Sequence, residues 1–479
     1  MLFNSVEFLL FLPSVFILYW FVFNNNLKLQ NLLILGSSYV FYGWWDYRFL
    51  FLIILSTLVD YVIGINIQNQ KIETKRKYLL WCSVAFNLSV LGFFKYYNFF
   101  ITSWVDLFNS MGYEIKSVWT LNIVLPVGIS FYTFQTMSYT IDIYRKRMEP
   151  TYDFISFASF VSFFPQLVAG PIERATNLVP QVLKRRVFQY EQAVNGIRLI
   201  VWGMFKKVVI ADSLSPIVEE VFSNYSDLPG ISLWLGAIFF SFQIYCDFSG
   251  YSDIAIGTSK LFGFELSTNF KFPYFSRNIG EFWRRWHISL SNWFRDYLYI
   301  PLGGSKEGTL KSMRNIFIIF LLSGLWHGAK WTFVAWGLFH AVLFIPSFVF
   351  RTNRKYKYSD LAENRILPTF KEGVQMFFTF LLVMVGWIFF RSETIVDSFH
   401  FIHRMFTEFT LPDIFWRVWI QQIVFLVLIE WIIRNRERLD FRFTSKRALI
   451  LELIVLGFFI AFISIYWGRA NTTFIYFQF

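Results

Sequence analysis

Charge is what this chain has least of. Asp, Glu, Lys and Arg together make up 16% of its 479 residues, where a soluble domain carries about a quarter. Such a chain cannot cover itself in water, and a soluble globular enzyme is excluded. Cysteine is nearly missing. Cys82 and Cys246 are too few for a disulfide framework or a cysteine zinc site. No His-x-x-x-His or Cys-x-x-Cys pair is present, so no metal is expected. No Gly-x-Ser-x-Gly elbow supports a serine nucleophile, and Gly303-Gly304 alone makes no phosphate loop. Residues 8–23 are apolar, but no basic segment precedes them and no small-residue cleavage site follows. The first helix is therefore expected to be retained rather than removed as a signal peptide. No internal repeat stands out, which weighs against a transporter built on inverted repeats.

What is abundant is apolar and aromatic. Hydrophobic residues reach 56% and aromatics 22%, with 63 Phe and 19 Trp. Apolar runs of about 18 residues or more recur along the whole length, the signature of membrane-spanning helices. Spans are expected at about 5–23, 30–45, 48–67, 78–97, 121–143, 195–211, 231–252, 314–327, 330–349, 373–390, 415–433 and 447–467. The expected architecture is thus an all-α integral membrane protein of about 11–12 transmembrane helices, forming a single polytopic domain over residues 1–479.

The formal net charge is +12. In a soluble protein that excess would suggest nucleic acid. Here the basic residues lie in loops between apolar runs, where they set topology and meet anionic lipid. The lipid bilayer is the expected partner, and nucleic acid is not. Basic loops at 71–77, 145–147, 184–186, 351–371 and 434–447 alternate with poorly basic ones. Between Asp212 and Gly230 there is no Lys or Arg and there are four acids, Asp212, Glu219, Glu220 and Asp227. With the basic loops in the cytoplasm, both chain ends lie outside.

Two regions do not read as simple spans. Residues 150–172 are apolar but broken by Pro165, Gly170 and Pro171. A re-entrant hairpin fits, because irregular backbone at membrane depth must sit within protein. Residues 253–313 mix aromatics with Asp253, Arg284, Arg285, Arg295 and Asp296, as interfacial amphipathic helices do. Lys206 and Lys207 fall within span 195–211, which implies a polar interior or a span that ends earlier.

Two of only five histidines stand directly after a tryptophan, in Trp286-His287 and Trp326-His327. An ionisable group inside a membrane span is costly and is a functional candidate by default. Burial favours the neutral imidazole, the form a general base requires. Gly324 and Gly328 flank Trp326 and His327, which would let a substrate approach the backbone. His287 could orient a substrate or share in proton transfer. The polar run from Gln243 to Asp253 is dense for a helix end and could line a tunnel. Arg284, Arg285 and Arg295 could hold a phosphate-bearing donor at the cytoplasmic mouth, or simply anchor the loop on that side. His340 reads as a packing residue, and His400 and His403 suggest no role.

Taken together these motifs carry a resemblance. The matching segments are Val168 to Arg174, Gln243 to Asp253, Asn269-Phe270-Lys271-Phe272-Pro273-Tyr274, Phe282-Trp283-Arg284-Arg285-Trp286-His287, Tyr297 to Gly304 and Gly324-Leu325-Trp326-His327-Gly328. The chain resembles the membrane-bound O-acyltransferase family, in particular its bacterial alginate O-acetylase branch. The resemblance implies re-entrant and transmembrane helices around a central tunnel. It makes His327 the catalytic residue and His287 the second active-site histidine, with Trp326, Arg284, Arg285 and Asp253 along the donor path or tunnel. It implies a multi-pass protein of the bacterial cytoplasmic membrane with no permanently bound cofactor. The donor would be acetyl-CoA or a carrier-protein thioester, and the acceptor an exopolysaccharide such as alginate or a cell-wall glycan. An extracytoplasmic partner resembling SGNH hydrolases would complete the transfer. The ending Phe474-Ile475-Tyr476-Phe477-Gln478-Phe479 resembles a terminal aromatic motif whose tyrosine, here Tyr476, is a candidate acyl relay, since an aryl ester is activated for onward transfer. D-alanyl transfer to teichoic acid is the nearest alternative, and a transporter or flippase is the alternative from another class.

Overall fold

The structure is a computed structural model that describes all residues except 114, 116–118, 358, 364, 409–416, 436–445, 470–473 and 476–479. Every regular element among the described residues is helical. This is what an apolar chain must do where no water is present to take up backbone N–H and C=O groups. Among the described residues five helical stretches are long and apolar enough to cross a bilayer: Leu27–Asn69, Glu73–Ser110, Gly230–Leu261, Trp331–Val349 and Phe370–Arg391. Each expected span contains a helix.

The chain forms two compact units, Met1–Ala193 with Thr258–Leu266, and Val194–Gly257 with Ser267–Phe479. The first holds α1 (Val6–Ile17), α2 (Leu27–Asp46), α3 (Leu50–Asn69), α4 (Glu73–Leu91), α5 (Tyr97–Ser110), α6 (Ile129–Tyr144), α7 (Phe154–Val161), α8 (Phe164–Leu167) and α9 (Ala175–Leu183). α3, α4 and α6 pack together around a buried polar knot. In it the Asp60 carboxylate accepts from Ser83 at 2.5 Å and from Asn87 at 2.8 Å. Over 150–172, where a re-entrant hairpin is expected, the chain forms α7, a break at Ser162–Phe163, and α8. One expected span starts late. The stretch from 119 to 126 is not helical, and α6 begins only behind Gly128, whose φ is +73°. Pro126 disfavours helical backbone in the residue before it, and the left-handed turn at Gly128 comes next.

The second unit holds α10 (Tyr190–Met204, continuing past Ala193), α11 (Asp212–Ser223), α12 (Gly230–Leu261), α13 (Ile279–Arg285), α14 (Ile288–Phe294), α15 (Thr309–His327), α16 (Trp331–Val349), α17 (Phe370–Arg391), α18 (Ile395–Thr407), α19 (Arg417–Ile432) and α20 (Lys446–Tyr466). A π-helical segment, Phe205–Ala211, joins α10 to α11. α10 and α12 cross closely, since a Cβ on Gly203 would lie 2.5 Å from the Gly250 carbonyl oxygen. α12 runs beyond its expected end at 252, because Asp253 is neutralised by Lys206 at 2.7 Å. Lys206 and Lys207 are both buried, so the span does not end early at these lysines; its interior is polar.

α15 and α16 form the tightest helix pair in this unit. A Cβ on Gly324 would strike the Phe333 carbonyl oxygen, and one on Gly328 would strike the Phe333 ring. These glycines therefore do not expose backbone to a substrate, as their flanking positions suggested. Phe333 fills that space, and the missing side chains let two helices touch.

Candidate active site

His287 is placed by a clamp at the start of α13. Asn278 caps that helix by accepting the Glu281 N–H at 2.8 Å. Glu281 in turn accepts from Arg277 at 3.0 Å and from Arg285 at 2.8 Å. Arg277 also pairs with Glu372 of α17 at 3.2 Å. After α13 the chain doubles back on residues 269–271. Lys271 N–H donates to the Arg285 carbonyl at 2.9 Å, and Ile288 N–H to the Asn269 carbonyl at 2.9 Å. Between them His287 adopts a left-handed backbone, φ 42° and ψ 56°. That is a strained conformation for a residue with a side chain, and it turns the imidazole onto the Asn269 amide.

The Asn269 contacts fix which imidazole nitrogen carries the proton. His287 Nδ1 lies 3.1 Å from Asn269 Oδ1. The same Oδ1 accepts from the Ser289 hydroxyl at 2.9 Å and from the Ser289 backbone N–H at 3.4 Å. A backbone N–H only donates, so that amide atom is an oxygen and the Nδ1 facing it must be N–H. The Nε2 lone pair of the neutral ring is then the proton-accepting side. Burial pushes the His287 pKa down to about 3 from its usual 6.5, which keeps the ring neutral at physiological pH.

His327 closes α15, and it too is buried. Its ring centroid lies 4.9 Å from Trp336 of α16 and 5.3 Å from Phe390 of α17. Trp326 joins the two histidines, edge-on to each ring, at 5.7 Å from His287 and 5.1 Å from His327. The aromatic wall continues to His340, which lies 4.9 Å from Trp336 and 5.0 Å from Trp283. Neither ring nitrogen of His340 has a hydrogen-bond partner among the described residues. Its sequence position suggested packing, and the structure buries it among aromatic rings, sharing Trp336 with His327.

Facing His287 from α12 is Phe248, at 4.7 Å, within the polar run from Gln243 to Asp253. Lys207 bridges Asp212 and Asp247, each at 2.8 Å. Lys206 pairs with Asp253 at 2.7 Å and donates to Ser249 at 2.9 Å. Asp253 is thus committed to an ion pair. The second Asp247 oxygen accepts the backbone N–H of Ile475 at 2.7 Å. The Phe474 ring lies 5.9 Å from Phe248 and 4.7 Å from Tyr251. The segment leading to the closing aromatic motif is thereby tied to the side of α12 that meets His287. Tyr476 itself lies outside the described residues.

A mostly apolar cavity of about 240 Å³ adjoins the wall. Trp283, Ser291, Arg295, Phe320, Ser323 and Arg354 are among the residues around it. Ser323 is one helical turn before His327. Trp283 and Phe320 both touch His340. Arg284 and Arg285 are not among the cavity's lining residues. Arg285 is bound to Glu281, and Arg284 donates to the Asn353 carbonyl. Among the described residues no three His, Cys, Asp or Glu side chains converge as a metal site would need.

The structure brings His287, His327 and Trp326, each singled out in the sequence, next to one another. Sequence reasoning missed Asn269 and Trp336 as neighbours of the histidines, and it read Lys207 and Asp247 as polar positions without pairing them. Asn269 stood in a quoted motif, but its partner is 18 positions away across a loop with no periodicity to read. The charge cluster carried a signal, paired lysines within an apolar span followed by Asp247 and Asp253 on the next.

The model of the membrane-bound O-acyltransferase family matches residues 93–359, a stretch containing His287 and His327. A protein named probable alginate O-acetylase AlgI from Azotobacter vinelandii is 42% identical over 418 residues, covering 86% of this chain and 80% of the relative. The peptidoglycan O-acetyltransferase of Helicobacter pylori is 34% identical, covering 85% and 80%. The teichoic acid D-alanyltransferase of Bacillus subtilis is 30% identical but covers only 51% and 64%. The chain belongs to the membrane-bound O-acyltransferase family, and it is an O-acyltransferase and an integral membrane protein.

Proposed function

We propose that this protein moves an acetyl group from a cytoplasmic thioester, acetyl-CoA or a carrier-protein thioester, to a glycan hydroxyl beyond the bacterial cytoplasmic membrane. Alginate, another exopolysaccharide or a cell-wall glycan is the acceptor class. The observation that carries this reading is the pair of buried histidines sharing Trp326, in a chain 42% identical to a probable alginate O-acetylase. His327 takes the proton of the attacking hydroxyl as that oxygen adds to the thioester carbonyl. The C–S bond breaks, the C–O bond forms, and the thiolate leaves with that proton. His287, with Nε2 as its acceptor, orients the hydroxyl or shares the proton. The cavity beside Ser323 suits the narrow arm of a thioester donor, with Arg295 and Arg354 among its lining residues for a phosphate. Arg284 and Arg285 support this mouth by holding α13 in place, and Trp326 and Asp253 shape the path. A partner resembling SGNH hydrolases receives the acetyl group outside.

Tyr476 is the acyl relay in this proposal. Its phenol oxygen takes the acetyl group from the thioester, and the aryl ester then passes it to the outer acceptor. Support comes from the docking of Ile475 on Asp247 and of Phe474 beside Phe248. D-alanyl transfer is the weaker alternative, since that relative matches only 51% of the chain. The test is mass spectrometry of surface glycan from cells carrying wild-type, Tyr476→Phe or no enzyme. Loss of O-acetyl groups in both altered strains is expected. Full acetylation with Tyr476→Phe would reject the relay, and full acetylation in the deletion strain would reject the acetyltransferase reading.

A further inference from the structure

At the end of α1, a groove of about 500 Å³ runs between Phe16, Trp20 and Phe21 on one side and Arg185, Arg186 and Phe188 on the other. Its electrostatics are unbalanced. Arg186 is buried and makes hydrogen bonds only to neutral groups. It donates to the Tyr19 hydroxyl, to the Val182 carbonyl at 2.9 Å and to Asn31 Oδ1 at 2.6 Å. Its guanidinium also sits 4.9 Å from the Phe264 ring centre. No carboxylate meets it among the described residues. Its donors are satisfied, but its charge is not neutralised, and a buried cation without a counter-ion is costly. The neighbouring Arg185 is exposed and reaches only the neutral Asn25 Oδ1, at 3.5 Å. Two adjacent cations therefore share the groove with no ion-paired acid among the described residues.

The rest of the groove is apolar and faces outward. Phe21 is 78% exposed and Val187 70% exposed. They lie where an apolar helix gives way to Asn24 and Asn25, the level at which lipid headgroups meet acyl chains. The basic loop at 184–186 marks this as the cytoplasmic side. We infer that this groove is a binding site for an anionic phospholipid, whose phosphate neutralises Arg185 and Arg186 and whose acyl chain lies along Phe16, Phe21 and Phe188.

The test is native mass spectrometry of the full-length protein in neutral detergent. Phosphatidylglycerol, phosphatidylcholine and inorganic phosphate are added in separate arms. Phosphatidylglycerol should be retained at least about fivefold more than phosphatidylcholine, the effect of one basic residue at a lipid surface. Arg185→Glu, a change at an exposed position, should lower that retention about thirtyfold by reversing one charge. The control Lys71→Glu, on another exposed basic loop, should change it by less than about twofold. Equal retention of the two lipids would overturn the site. So would an equal loss in the control, which reports general surface charge. Displacement of the lipid by millimolar phosphate would reduce the groove to a phosphate site and also overturn the proposal.

Discussion

Replacing Asn269 with leucine keeps the bulk of the side chain and removes the amide oxygen that faces His287 Nδ1. The His287 Nδ1–H and the Ser289 hydroxyl, at 3.1 and 2.9 Å in the native protein, would both lose their shared oxygen. A neutral hydrogen bond of this kind is worth about 1–1.5 kcal/mol net. Losing that bond therefore shifts the ratio of the tautomer that offers Nε2 as acceptor to the one that does not by about five- to twelvefold. The ratio change is the upper limit on the loss of competent rings, so the expected outcome is a measurable fall in kcat, at most about tenfold, with little change in KM for the thioester donor. Asn269→Asp separates positioning from mere packing. A carboxylate keeps the acceptor, so most activity is retained at neutral pH, but its negative charge favours the imidazolium and raises the His287 pKa from about 3. The acid limb of the pH–rate profile should then move upward, and activity should be lost earlier as pH falls. The assay is acetyl transfer in proteoliposomes, normalised to folded protein. An Asn269→Leu enzyme with unchanged kcat, or an Asn269→Asp profile with an unmoved acid limb, would refute the reasoning.

Asp247→Ala should free the segment at Ile475, because it removes the acceptor at 2.7 Å and leaves the buried Lys207 with Asp212 alone. Breaking a buried charge cluster costs about 3–5 kcal/mol, so a lower melting temperature should accompany faster hydrogen exchange at residues 474–475. Unchanged exchange there would contradict the anchoring role. Gly324→Ala should destabilise the protein by about 1–3 kcal/mol through overpacking against the Phe333 carbonyl. An unchanged unfolding transition in detergent would show that the α15–α16 contact is looser than described. Lys206→Met should strand Asp253, now paired at 2.7 Å, in a half-closed polar site and lower stability by more than the conservative Lys206→Arg. Equal effects of the two changes would argue against the ion pair.

The helical architecture was legible because a bilayer imposes it. Long apolar runs admit few alternatives, and the spans read from them contain α1 to α4, α12 and α15 to α17. What stayed hidden depended on pairing between distant segments. The apolar run from 121 looked helical until Pro126 and Gly128 postponed α6. Asp253 looked like the end of a span until Lys206 met it. Gly324 and Gly328 looked open because nothing in their neighbourhood announces that Phe333 fills the space. The two histidines could be picked out by rarity and by their tryptophan neighbours. Their meeting at one indole could not, because it needs the loop at 269–271 to fold against 285–288.

The most direct measurement is acetyl transfer by His327→Ala protein in sealed proteoliposomes, with the thioester donor on one face and the glycan acceptor on the other. Loss of a general base at the junction of α15, α16 and α17 should lower the rate about 100- to 10,000-fold, with the fold and donor binding preserved. A His327→Ala enzyme that still transfers acetyl groups at a rate close to wild type would place the chemistry elsewhere and contradict the site described here.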